Sequence, residues 1–149
     1  MLKLKFESEY LNGKRWNGKG FKVINNIIYV LKNGNGNIKE YDDYGKLLFE
    51  SEYLNGKISG KGREYYYDYD GALEFEGEYL NGIRNGKGKE YYTNGKLKFE
   101  GEYLNGIRNG KGKEVNENGE LIFDAEYLDG EPILFIKLKN IWVWIIFKY

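Results

Sequence analysis

The stretch FEGEYLNGIRNGKGKEYYTNGKLKFEGEYLNG, Phe75 to Gly106, decides the fold. Its first 16 residues return unchanged at Phe99, 24 residues further on. Leu97, Phe99, Gly101 and Tyr103 alternate with Lys98, Glu100 and Glu102, so apolar and charged side chains fall on opposite faces at period two, as in a half-buried strand. Gly110-Lys111-Gly112-Lys113-Glu114 then leads to Asn118-Gly119. Asn94-Gly95, Asn118-Gly119 and Asp70-Gly71 are strong tight-hairpin signals, because a type I′ turn needs positive φ at both central residues. Asn105-Gly106 is expected to open a longer connection that closes at Asn109-Gly110. Strand, loop, strand and tight turn therefore repeat.

The same frame extends outward. FESEYLNGKISGKGRE begins at Phe49, 26 residues before Phe75, and FESEYLNGKRWNGKG at Phe6 carries one extra residue. FDAEYLDG begins at Phe123. The gap from Phe6 to Phe49 holds a shortened unit, with Asn33-Gly34-Asn35-Gly36 standing for the second glycine pair. The expected units are about 4–28, 29–45, 46–71, 72–95, 96–119 and 120–132, in one repeat domain over 1–149. The matching strand sets are Leu4, Phe6, Ser8, Tyr10; Leu47, Phe49, Ser51, Tyr53; Leu73, Phe75, Gly77, Tyr79; and Leu121, Phe123, Ala125, Tyr127. Their third position is always small, which leaves room for a ring from a neighbouring strand. No unit can bury a core alone, so each leans on the next. The fold class expected is all-β: tandem hairpins in an elongated or gently curled antiparallel single-layer sheet.

The end departs from the pattern. Glu131-Pro132 replaces the second glycine pair, and ILFIKLK (Ile133 to Lys139) and IWVWIIF (Ile141 to Phe147) follow. Strand-forming residues dominate both. Residues 133–149 are expected to be apolar capping strands; an anchor for a partner or a membrane surface is the competing reading. The longest apolar run is far short of the ~20 residues a spanning helix needs, so no transmembrane segment is expected.

The 23 basic and 23 acidic residues cancel, so bulk charge draws the chain neither to nucleic acid nor to an anionic membrane. With no cysteine and no histidine, the usual metal ligands and the near-neutral base are missing. No cofactor is expected. Paired acids such as Glu100 and Glu102 suit glycoside chemistry in principle, yet they recur in almost every unit, whereas an active site is one distinct constellation. The Gly-Lys-Gly-Lys runs lack the spacing and following helix of a phosphate loop. Candidate partner contacts are Arg84 and Arg108, at equal places in successive loops, Lys14 and Trp16 in the one irregular loop, and Trp142 and Trp144 in the apolar tail.

The units resemble MORN repeats. Phe75, Gly77 and Tyr79 match that family's aromatic–glycine–aromatic positions, and Gly82, Gly86 and Gly88 match the glycines that follow. Tyr91 to Gly106 looks closer to a bacterial variant found in YwqK-type antitoxin proteins. Tyr79 and Tyr103 stand where the commonest eukaryotic form has tryptophan, and Ser8, Ser51 and Ala125 stand in place of glycine. The resemblance implies a non-catalytic scaffold or protein-interaction module, in its sharper form an antitoxin or immunity protein in the cytoplasm. The alternative is a repeat protein at a membrane surface, binding anionic lipid headgroups. A protein partner is expected, with peripheral membrane contact as the second possibility, and no enzyme activity.

Overall fold

The computed structural model describes residues 5–21, 27–42, 44–69, 71–138 and 141–146. All regular structure among them is strand. The first three strands are β1 (Lys5–Leu11), β2 (Lys14–Phe21) and β3 (Ile27–Leu31). Then come β4 (Gly36–Tyr41), β5 (Leu47–Leu54), β6 (Lys57–Tyr65), β7 (Leu73–Leu80) and β8 (Ile83–Tyr91). The last are β9 (Leu97–Leu104), β10 (Ile107–Val115), β11 (Leu121–Leu128), β12 (Glu131–Leu138) and β13 (Ile141–Ile146). Every pairing is antiparallel and between sequence neighbours, so the expected meander is present. It is open: β4 and β13 are the ends of a 10-stranded sheet.

The meander is interrupted once. β1, β2 and β3 form a separate three-stranded sheet. Among the described residues, β3 and β4 are joined by the turn-closing bridge Lys32↔Asn35 alone. Arg15 on β2 reaches across the break to Glu40 on β4, 3.1 Å away. Leu4 and Asp70, placed by the sequence on the first strand and in a tight turn, lie outside the described residues.

The turns exchange roles relative to the sequence reading. Both residues have positive φ at Asn55-Gly56, Asn81-Gly82, Asn105-Gly106 and Asp129-Gly130, and also at Asn12-Gly13 and Asn33-Gly34. These are the two-residue type I′ turns. At Asn94-Gly95 and Asn118-Gly119 only the glycine is left-handed, and the chain closes one residue later, through Tyr92 N–H to Lys96 O and Asn116 N–H to Glu120 O (both 2.9 Å). Asn33-Gly34 is therefore a tight turn and not a second glycine pair. Asn109-Gly110 closes no loop. It lies within β10 as a bulge, where the register against β9 shifts between Arg108 and Gly112.

The bulge explains why Glu102 is where it is. Its carboxylate folds over Gly110, in the space a Cβ would occupy, and accepts the Lys111 N–H at 3.2 Å. Glu78 does the same for Gly86 and Lys87 N–H at 3.0 Å. A residue with φ near +100° and a carboxylate in its side-chain space must be glycine.

Successive units are stitched along both rims. On one rim each tight-turn glycine donates its N–H to the unit before: Gly82 to Ile58 O (2.8 Å), Gly106 to Arg84 O (2.9 Å) and Gly130 to Arg108 O (3.0 Å). On the other rim Tyr66 Oη donates to Tyr91 O at 2.7 Å and Tyr92 Oη to Val115 O at 2.9 Å.

Candidate interaction surfaces

The two faces of the long sheet solve different problems. A single layer has nothing above it, yet Phe75 and Phe99 are 0% exposed. Glycine supplies the floor. A Cβ on Gly77 would meet Phe75 Cζ at 2.6 Å, and one on Gly88 would meet the same ring at 2.6 Å and the Tyr103 ring at 3.0 Å. So the small residue of the first strand accommodates the ring two residues before it, and the small residue of the second accommodates the incoming tyrosine. The sequence expectation of a neighbouring strand's ring at Gly77 and Gly101 is not met, since the nearest ring there comes from the same strand; such a ring approaches Gly62, Gly88 and Gly112 instead.

Arginine supplies the roof. The Arg84 guanidinium lies 3.9 Å from the centre of the Phe75 ring, and Arg108 lies 4.0 Å from that of Phe99. Such cation–π contacts contribute about 0.5–2 kcal/mol, more as water is excluded. The arginines are held by glutamates of the preceding unit. Arg84 Nε donates to Glu64 at 2.9 Å, and Arg108 Nε to Glu90 at 2.9 Å, each with a second hydrogen bond from Nη2. The Tyr79 hydroxyl also donates to Glu64, and the Tyr103 hydroxyl donates to Glu90 at 2.5 Å. Rings then meet edge-to-face from unit to unit: Phe75 with Tyr103 at 5.2 Å and Phe99 with Tyr127 at 5.1 Å.

Charge states follow from this packing. Burial pulls the Glu64 and Glu90 carboxyls upward, but hydrogen bonds from arginine and tyrosine outweigh it and hold both below the ordinary value. Burial, and then the adjacent carboxylate, push the Tyr79 and Tyr103 hydroxyls well above theirs. Arg84 and Arg108 are therefore engaged residues on β8 and β10, not solvated loop residues. The end units have no arginine at the equivalent position. Ile58 pairs with Tyr53 as Arg84 pairs with Tyr79, and Pro132 pairs with Tyr127 on the other side. Phe49 and Phe123 are correspondingly only half-buried.

The opposite face is charged, and its pattern was only partly legible. Lys39, Glu50, Arg63, Glu76, Lys89, Glu100, Lys113 and Asp124 stand opposite one another in register, one per strand from β4 to β11, alternating in sign. Ion pairs join Lys39 to Glu50 (3.1 Å), Arg63 to Glu50 (3.3 Å) and Glu76 (3.4 Å), Lys89 to Glu100 (3.3 Å) and Lys113 to Asp124 (3.0 Å). A second row holds Glu52, Lys61, Glu78, Lys87, Glu102 and Lys111. Between the rows the backbone of Ser51, Gly62, Gly77, Gly88 and Gly101 floors a groove of about 840 Å³. The Tyr91 hydroxyl donates to Glu76 at 2.7 Å on this face; burial and that carboxylate push it up to about 12.

The remaining sequence candidates have structural neighbours. Lys14 and Trp16 lie on β2 and not in a loop. A Cβ on Gly34 would sit 3.0 Å from the Trp16 ring, and one on Gly56 would sit 2.8 Å from Lys14 Cβ. The Trp16 carbonyl also accepts the Gly34 N–H at 2.6 Å. Both residues thus brace the turns flanking the sheet break. Trp142 and Trp144 lie on β13, in register with Lys137 and Phe135. Glu64 and Glu90 escaped the sequence reading, although Gly-x-Gly-x-Glu at period two puts the glutamate on the glycine face. Among the described residues no group of three or more acids forms a metal site.

A family model for the MORN repeat matches residues 49–71, 75–96 and 99–120. These three units are similar to MORN repeats. Their matched segments start at Phe49, Phe75 and Phe99, the same phase found by superposing the chain on itself. Phe75 and Phe99, both fully buried, open the second and third matched segments. No curated protein matches the chain. MORN repeats in general serve as protein- or membrane-interaction modules.

Proposed function

We propose that the chain is a non-catalytic protein-interaction scaffold whose working surface is the charged groove. The observation that carries this is the contrast between the faces. On the aromatic face the arginine roofs, the tyrosine hydroxyls and the glutamates are all spent on one another. On the other face six acids and six bases line an open groove with a glycine backbone floor. Rows of opposite charges set one strand apart, about 4.8 Å, read a protein segment carrying both signs better than a polyanion, since each basic residue stands beside an acid.

Reversing the row tests it. Lys87→Glu with Lys111→Glu leaves the aromatic face untouched, and neither lysine is in an ion pair among the described residues. A partner captured by the full chain and identified by mass spectrometry is expected to lose at least tenfold in affinity with this variant. Unchanged affinity would move the working surface elsewhere. The narrower antitoxin reading predicts rescue of growth when the chain is co-expressed with a toxic neighbouring gene product, and rescue by the reversed-charge variant would separate it from the groove. The membrane-surface reading loses Arg84 and Arg108, whose guanidinium groups are held by Glu64 and Glu90. No helix among the described residues is long and apolar enough to cross a membrane.

A further inference from the structure

The last hairpin is built differently from the others. β12 runs beside β11 only at Glu126↔Ile133, Tyr127↔Pro132 and Leu128↔Glu131. It then pairs with β13 alone, from Ile133↔Ile146 to Leu138↔Ile141. Among the described residues the hairpin is therefore paired to the sheet through three residues of β12. β11 keeps no partner on that side from Leu121 to Ala125 among the described residues, and Leu121 is 60% exposed. A two-stranded hairpin by itself is marginally stable in water, and an uncharged strand edge recruits another strand. β13 is IWVWII, with no charge, proline or glycine. β4, the other end of the same sheet, carries Lys39 and Glu40.

We infer that β13 is the pairing edge of a twofold dimer, and that its occupant is β13 of a second copy of this chain. The sequence of the strand selects that partner. Ile141 to Ile145 reads IWVWI in both directions about Val143. A twofold axis through Val143 sets Val143 opposite its own copy, Trp142 opposite Trp144 of the second copy, and Ile141 opposite Ile145 of the second copy. Every pair is then a like pair of β-branched or aromatic residues, the pairs that stabilise sheets best. No charge meets its own image anywhere along the contact. The pairing is antiparallel like every other pairing in the sheet, and it joins two hairpins into one four-stranded unit, β12–β13–β13–β12. The contact is isologous and closes on itself, so the chain forms a dimer and not a fibre.

The register makes the test sharp. The chain has no cysteine, so one can be introduced alone. In the proposed register a Val143→Cys pair has its Cα atoms about 4.5–5.5 Å apart, within the ~4.4–6.8 Å that a disulfide spans. An Ile141→Cys pair is displaced by four residues, roughly 13 Å, and cannot bridge. Full-length Val143→Cys is expected to give a covalent dimer under mild oxidation, with Ile141→Cys forming no cross-link. Light scattering on the parent chain is expected to read twice its 17.5 kDa. Val143→Lys is expected to read once that mass, and so is Val143→Glu, because each sets like charges in direct opposition; mixing the two is expected to restore a heterodimer. A parent that stays monomeric at all concentrations, equal cross-linking at 141 and 143, or no pairing of the Lys and Glu variants would each overturn the proposal. So would a monomer that moves onto neutral phosphatidylcholine vesicles, which would assign the hairpin to a membrane surface.

Discussion

Gly101→Ala tests the account of how one layer buries a phenylalanine. The added Cβ would stand 2.5 Å from Phe99 Cζ, 2.7 Å from Lys111 O and 2.8 Å from Gly112 Cα. The ring can tilt away, but the two backbone atoms belong to the paired strand and yield only if the sheet opens. Overpacking of this kind costs about 1–3 kcal/mol. Tilting also lifts Phe99 from 0% exposure toward the half-buried state of Phe123, whose neighbour is Ala125. Full burial of a phenylalanine is worth about 1.5–3 kcal/mol, so losing part of it adds roughly 1 kcal/mol. The Arg108 roof, 4.0 Å above the ring, is displaced with it. The expected loss is about 2–3 kcal/mol, read as a lowered urea midpoint at unchanged slope, with a weakened near-ultraviolet aromatic signal. Ala125→Gly is the internal control: its site already tolerates a Cβ, so it is expected to cost only about 0.5–1 kcal/mol through added chain freedom. Should Gly101→Ala unfold within 0.5 kcal/mol of the parent chain, as the smallest cost this reasoning allows is about 1 kcal/mol, the glycine floor is not what seats the ring.

Other outcomes follow from the same contacts. Arg84→Met is expected to cost about 2 kcal/mol, since it leaves the half-buried Glu64 with only the Tyr79 hydroxyl; a double-mutant cycle with Glu64→Gln should return a coupling of at least ~1 kcal/mol, and a coupling near zero would refute the shared network. Asn105→Ala places a non-glycine residue without a polar side chain at φ +52°, and is expected to cost about 1–2 kcal/mol. Asn118→Ala, whose φ is not positive, should cost clearly less, and the reverse order would restore the tight turn to Asn118-Gly119. Stability has two pH limits. The depressed Glu64 and Glu90 carboxyls contribute stability that is present above the ordinary carboxylate range, and it is lost as pH falls below about 4 through their folded values. Tyr91, raised to about 12 from 10.0, contributes stability present below pH 10 and lost between 10 and 12. Urea midpoints across pH should show a plateau between these limits; a midpoint that still rises below pH 4 would contradict the carboxylate assignment.

The repeat frame was legible because it is written in two periods. Alternation at period two fixes which side of a strand Phe99 and Glu100 occupy, and the 24-residue period fixes that each unit meets a copy of itself. The choice of tight turn was not legible. Asn94-Gly95 and Asn105-Gly106 are the same dipeptide, and the difference lies in what surrounds them. Gly106 N–H is claimed by Arg84 O of the preceding unit at 2.9 Å, whereas Gly95 N–H turns back to Tyr92 O at 2.8 Å. The sequence also placed Arg84 and Arg108 in successive loops, because it counted the glycine pair at Asn109-Gly110 as the loop's far end. The bulge returns that pair to the strand and carries the arginines onto the aromatic face.

By itself the sequence determined an antiparallel hairpin array, its unit length, its two chemically distinct faces and its lack of histidine and cysteine chemistry. These depend on local periodicity and composition. Tertiary structure alone decided which residues are spent and which are free. Glu64 and Arg84 are 20 residues apart, and only the stacking of one unit on the next makes them a pair over Phe75. Likewise, only the strand pairing shows that the apolar tail joins the sheet through three residues of β12 among the described residues. Strand pairing over distance, and the competition for each backbone N–H, are set by neighbours that no single repeat contains.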